Sequence, residues 1–187
     1  MPKIAIISAS VRKGRKSHSV ALYFQNYLAQ KQLAETEIID LDAYNFPIFE
    51  ERLRLIENPT QEMLQLAKTI TEVDGVIIVT PEYNGGYPAS LKNVIDLLYA
   101  EWKRKPIAIA TVSAGPFGGS QVVTSLQFSL WKIGALPVPA MFPVAMVEKS
   151  FNEDGTPTDK EATEKRANVF VSELMYWISA KAAKDNN

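Results

Sequence analysis

Short apolar runs alternate along this chain with longer segments whose apolar positions recur every three or four residues. The runs are Ile4-Ala5-Ile6-Ile7, Val76-Ile77-Ile78-Val79 and Ile107 to Val112, with a less continuous one at Thr36 to Leu41 and another within Val138 to Val147. Length and β-branched content predict strands, and near-continuous apolarity predicts burial on both faces. The periodic segments predict helices. Val20, Phe24 and Leu28 share one helical face with Tyr23 and Tyr27 beside them, and Ser17 or Ser19 stands where an N-cap belongs. Asn58, with Pro59 and Gln61 after it, opens a second helix through about Thr71. Ser90 to Ala100 carries the stripe Leu91, Val94, Ile95 and Leu98; a further helix runs to about Ile133 and stops at Gly134. Thr158 with Glu161 forms a capping box for the last helix, whose stripe is Ala167, Phe170, Val171, Leu174 and Ile178. The polar tail 181–187 is expected to fray.

Five strands alternating with five helices predict a parallel sheet covered on both faces. Right-handed crossovers make such a sheet doubly wound. With no repeat, linker or low-complexity segment, residues 1–187 read as one α/β domain of three layers. Residues 42–58 are irregular, and Phe46-Pro47-Ile48-Phe49 within them suits packing over a site or a partner. Met141, Met146 and the aromatic residues of the helices are expected in the core. Tyr99 and Trp102 suit either core or interface, and Lys103-Arg104-Lys105 reads as a solvated turn.

Composition narrows the function classes. The 187 residues are 47% hydrophobic and 22% charged, ordinary for a soluble globular protein. No apolar run reaches the roughly 18–20 residues that span a bilayer, and Met1-Pro2-Lys3-Ile4 does not open a signal peptide. No cysteine is present, which excludes disulfides and thiol chemistry and fits the cytoplasm. His18 is the one histidine, too few for a typical zinc site, so no metal is expected. Net charge is −1, but residues 1–34 carry +6 and the remainder −7, with Arg12, Lys13, Arg15 and Lys16 clustered. The cluster reads as a solvated loop or an anion site. It is too short for nucleic acid, which needs a broad basic surface.

In open α/β sheets, ligands bind beyond the carboxyl ends of the strands. Three loops leave that edge after strands one, three and four. In the first, Ser10, Arg12, Ser17, His18 and Ser19 gather hydroxyl, guanidinium and imidazole groups before a helix N-terminus, where free N–H groups and the macrodipole favour phosphate. The same serines also serve as plain helix caps. The loop lacks both Gly-Lys-Ser/Thr and Gly-x-Gly-x-x-Gly, so a monophosphate such as that of FMN suits it better than a nucleoside triphosphate or dinucleotide. The second loop, Pro81-Glu82-Tyr83-Asn84-Gly85-Gly86-Tyr87-Pro88, is stiffened by proline at both ends and carries two tyrosines. It reads as a platform for a flat ring or as a tight turn. The third, Ser113-Ala114-Gly115-Pro116-Phe117-Gly118-Gly119-Ser120, has glycines that let backbone amides approach a ring edge.

These three loops, in this order and spacing over about residues 3–147, resemble the flavodoxin-like NADPH-dependent FMN reductases, which include quinone, azo-dye and chromate reductases. The most specific part is Pro81-Glu82-Tyr83-Asn84-Gly85 followed by Leu91-Lys92-Asn93-Val94-Ile95-Asp96. The resemblance implies a flavodoxin-like fold and noncovalent FMN. It also implies NADPH or NADH as co-substrate, a small-molecule electron acceptor and a homodimer or homotetramer. Ser10, Arg12, Ser17, His18 and Ser19 are then expected at the phosphate. Pro81, Glu82, Tyr83, Asn84, Gly85, Ser113, Gly115 and Gly118 are expected around the isoalloxazine, and no side chain acts as acid or base. The loop Arg12–Lys16 is more basic than is usual in the family, which leaves Arg15 and Lys16 without an assigned role. Two other functions share the fold: a flavodoxin-type electron carrier, for which strong acidity is expected, and a non-catalytic flavin-binding module.

Overall fold

The structure is a computed structural model and describes residues 1–185; Asn186 and Asn187 lie outside the described residues. The strands are β1 (Lys3–Ser8), β2 (Glu35–Asp40), β3 (Gly75–Pro81), β4 (Pro106–Val112) and β5 (Leu136–Val144). They form one five-stranded sheet in the order β2-β1-β3-β4-β5, with every neighbouring pair parallel. The order reverses direction at β1 and β3, so loops leaving these two strands diverge and open a crevice between them.

The helices are α1 (Ser17–Gln30), α2 (Leu41–Tyr44), α3 (Gln61–Glu72), α4 (Ala89–Leu97), α5 (Val122–Lys132), α6 (Val147–Ser150) and α7 (Lys160–Asp185). Side chains alternate across each strand and sort into two cores. Ile4, Ile6, Ile77, Val79, Ala108 and Ala110 join Val20, Phe24, Leu28, Phe170 and Leu174 of α1 and α7. Ala5, Ile7, Val76, Ile78, Ile107 and Ile109 join Leu66 and Ile70 of α3, Leu91 and Ile95 of α4, and Leu126 and Leu130 of α5. The result is the expected three-layer α/β domain.

Element ends differ from the expectation where tertiary contacts decide them. The Thr60 hydroxyl accepts from the Met63 amide at 3.3 Å, so the cap of α3 lies two residues after the expected Asn58. Asp159 caps α7 by accepting from Ala162 N–H at 3.0 Å. Thr158 instead donates to the Lys149 and Ser150 carbonyls and ties down the 152–157 turn. Helix α4 ends at Leu97, and a 3-10 turn at Ala100–Trp102 follows, with Trp102 fully buried. Strand β5 begins before Val138 because Pro137 and Pro139 sit on a sheet edge, where a missing N–H costs nothing. Helix α7 extends to Asp185, and residues 186–187 of the tail expected to fray lie outside the described residues.

Several expected core residues are exposed: Met141, Met146, Phe128, Trp131 and Tyr176. Tyr99 is also exposed, with the Arg52 guanidinium 4.5 Å from its ring centroid. Lys103 and Arg104 are solvated as expected, but Lys105 is only 5% exposed. Its ammonium donates to the carbonyls of Thr71 and Val73 at the C-terminal end of α3. The Asn93 amide holds both Pro47 and Phe49. Their segment borders a groove of about 550 Å³ beside Val11, Leu41 and Ser90.

Candidate functional site

The first loop leaves β1 at the switch point and is locked at its start. Ala9 N–H donates to the Val79 carbonyl at 3.0 Å, and the Ser90 hydroxyl donates to the Ala9 carbonyl at 2.6 Å. Ser10 is fully buried, its hydroxyl 2.7 Å from that of Tyr83. The chain then turns: Arg15 N–H donates to the Arg12 carbonyl at 3.1 Å, with Gly14 at φ +69°. Arg12 and Lys13 project from the apex into solvent.

Helix α1 starts at Ser17 with no side-chain cap. The Ser17 hydroxyl is buried and has no hydrogen-bond partner. A buried orphan hydroxyl beside uncapped first-turn N–H groups suits an anion, which satisfies both. The Ser19 hydroxyl is already spent, donating to the Lys16 carbonyl at 2.7 Å. His18 sets Nδ1 3.0 Å from the Ser8 hydroxyl and 3.7 Å from an Asp40 oxygen. Of the five residues expected at a phosphate, Arg12, Ser17 and, through Nε2, His18 therefore keep a polar group uncommitted. The hydroxyls of Ser10 and Ser19 and the Nδ1 of His18 brace the loop.

Arg15 and Lys16 find partners that sequence reading leaves unassigned. Arg15 grips both oxygens of Asp40, at the end of β2, and donates to the Ser10 carbonyl at 2.7 Å. Burial, the largest single influence, pushes the Asp40 carboxyl up, but hydrogen bonds from Arg15 and the Asp42 N–H, with the nearby charges of Arg15 and His18, together outweigh it and hold the group below the usual carboxylate range. The same contact raises Arg15. Lys16 reaches Glu153 at 3.0 Å on the surface. Asp40 escapes sequence reading because it is 25 residues from Arg15. The usable sign is an acid ending strand two, the strand that borders strand one in this fold.

The second loop folds back on itself. Tyr83 and Gly86 exchange N–H···O bonds of 2.8 and 3.0 Å across Asn84-Gly85, both at positive φ (53° and 78°). This matches a type I′ turn, for which Asn-Gly is the favoured pair. Pro81 is buried at the end of β3. The Glu82 carboxylate accepts from Gln121 and Val122 N–H at 2.8 and 3.1 Å and so caps α5. The Tyr87 hydroxyl lies 2.7 Å from that of Ser129 on α5. Tyr83 thus ties this loop to the first, while Glu82 and Tyr87 tie it to α5.

The third loop is pinned along its length. Ser113 N–H bonds the Val144 carbonyl at 2.9 Å, and the Ser113 hydroxyl donates to the Gly115 carbonyl at 2.8 Å. The Thr111 hydroxyl holds the Gly118 carbonyl at 2.6 Å. Gly118 sits at φ +64°, and a Cβ there would meet Pro143 Cβ at 3.0 Å, so both backbone and space call for glycine. A Cβ on Gly115 would meet nothing within 4 Å, so that glycine faces open space. Hydrogen bonds thus join the loops after β1 and β3 directly and tie the latter to the start of α5, where the loop after β4 ends, so that all three meet at one sheet edge.

The family model for NADPH-dependent FMN reductases matches residues 2–149. An NAD(P)H-dependent FMN reductase of Saccharomyces cerevisiae is 33% identical over 138 residues, covering 67% of this chain and 71% of that one. A quinone reductase of Pseudomonas putida is 31% identical over 191 aligned positions, covering 96% of both chains. Among solved structures, a flavoenzyme NAD(P)H:(acceptor) oxidoreductase of Paracoccus denitrificans superposes with a TM-score of 0.77 at 24% identity, over 96% of this chain and 98% of that one. The five-stranded parallel sheet, the order of its loops and a family match over residues 2–149 agree: the chain belongs to the NADPH-dependent FMN reductase family.

Proposed function

We propose that this chain binds FMN noncovalently at the braced rim and uses NAD(P)H to reduce a quinone, free flavin, azo compound or similar small acceptor. The observation that carries the reading is the unpartnered Ser17 hydroxyl at the uncapped start of α1, within reach of an anion at the sheet's ligand edge. Arg12 and Ser17 would hold the phosphate. The rim from Pro81 to Gly85, with Ser113, Gly115 and Gly118, would line the ring. Bound FMN supplies the redox chemistry, accepting hydride from NAD(P)H and passing electrons on. The protein's part is positional: Tyr83 fixes the ring loop to the phosphate loop, and Glu82 fixes it to α5.

Among the alternatives, an electron carrier is disfavoured by the near-neutral charge of −1 and by the family match. Dependence on a reduced nicotinamide supports a cytoplasmic location. Exposed Phe128 and Trp131 on α5, with Ile48 at 88% exposure, support a homodimer or homotetramer that covers apolar surface. With one open ring face, nicotinamide and acceptor bind it in turn. Steady-state oxidation of NADPH against a quinone is then expected to be ping-pong, with parallel double-reciprocal lines. Intersecting lines would rule out the shared face, and no turnover in FMN-loaded protein would rule out the enzyme.

A further inference from the structure

Four cations crowd Arg12–Lys16, yet they face different partners. Arg12 and Lys13 meet solvent, Lys16 meets a Glu153 side chain that is 89% exposed, and Arg15 meets the carboxylate of Asp40 with only 16% and 23% of the two side chains accessible. We propose that Arg15 and Asp40 form a clamp that sets the shape of the phosphate loop, so that Arg15 is a positioning residue and not a phosphate ligand. This inference rests on the reading of the first loop as the FMN phosphate site.

The geometry carries the assignment. Arg15 bonds one Asp40 oxygen and the Ser10 carbonyl through the same terminal nitrogen, whose two protons are thereby used. The other terminal nitrogen bonds the second Asp40 oxygen at 2.5 Å. The end-on fork of the guanidinium is thus taken by the Asp40 carboxylate, and its second terminal nitrogen also lies 3.7 Å from an Asp42 oxygen, so the group as placed is paired with carboxylates. Asp40 is itself fixed, because it ends β2 and accepts from the Asp42 N–H at 3.2 Å as the N-cap of α2. The clamp therefore anchors the loop at both sides of the Arg12 apex: at Ser10 through its carbonyl, and at Arg15 through its side chain. A carboxylate near an anion site repels the anion unless its charge is neutralised, and Arg15 does this.

The sign of one substitution separates the two roles. Asp40→Asn keeps an N-cap side chain while removing the charge. If Arg15 were a phosphate ligand, Asp40→Asn would free it and tighten FMN binding. As a clamp, Asp40→Asn loosens the loop and weakens it. FMN and riboflavin are titrated into apoprotein of the wild type, Asp40→Asn, Arg15→Gln and the double variant, with melting temperature as a folding control. Each single change is expected to weaken FMN about tenfold, as loss of a charge-assisted hydrogen bond does. The double variant is expected to be no worse than either single one, because the pair acts as a unit. Riboflavin affinity is expected to stay unchanged. Arg15→Lys is expected not to rescue, since an ammonium cannot fork, and Asp40→Glu serves as the charged second variant should Asp40→Asn fold poorly, with intermediate affinity expected. FMN bound by Asp40→Asn as tightly as by the wild type, or by Asp40→Glu if only that variant folds, would overturn the clamp. Equal wild-type affinity for FMN and riboflavin would instead remove the phosphate site, and the clamp with it.

Discussion

Lys105 departs further than any other charged side chain from what its neighbours in the chain suggest. It sits in a basic triplet with Lys103 and Arg104, yet it is buried where β4 begins and donates to two carbonyls at the end of α3. Burial first, and then the charge of Lys181, push its pKa from 10.5 down to about 8, against an opposing pull from Asp74. The folded-state value is depressed, so between about pH 8 and 10.5 the unfolded chain binds a proton that the folded chain has released. Stability from this group therefore rises with pH across that window. Denaturant unfolding at pH 8 and pH 10 is expected to show the wild type gaining stability relative to Lys105→Met; an unchanged difference would contradict the buried lysine. Nothing local in the sequence marks Lys105, because its partners are more than 30 residues away. Glu82 is similar: its place in the loop from Pro81 to Pro88 is readable, but its role as the cap of α5 needs the fold.

At the scale of elements, all five strands and the main helices are legible because burial on both sheet faces leaves a continuous apolar record. What escapes is how the elements end. Thr60, Asp159 and Trp102 set boundaries through contacts with backbone or core that weak local preferences do not encode. The loop from Pro81 to Pro88 is the best-read element, since Asn84-Gly85 encodes its own turn chemistry. Gly85→Val tests it. A β-branched residue at φ +78°, with Gln121 Oε1 already 3.1 Å from a Cβ, strains the turn and shifts Tyr83. Turnover is expected to fall at least tenfold with both NADPH and acceptor varied. Normal flavin content together with normal turnover would reduce the loop to a connector.

One sheet edge of the molecule carries three features: the uncapped start of α1 with its orphan Ser17 hydroxyl, a braced loop after β3 and a pinned glycine loop after β4. Tyr83, Glu82 and Tyr87 make these one rim, and the Arg15–Asp40 pair extends the bracing to β2. The loops and their chemistry are legible in the chain; the hydrogen bonds joining them are not, because they link residues 39 to 73 positions apart. Whether such a rim makes an enzyme or a carrier turns on whether NADPH alone reduces the loaded protein. The decisive measurement is the visible absorbance of purified, FMN-loaded protein under anaerobic conditions with no second protein present. Addition of NADPH is expected to bleach it, and addition of a quinone is then expected to restore it. Absorbance unmoved by NADPH would contradict the reductase and leave a carrier that waits for a separate source of electrons.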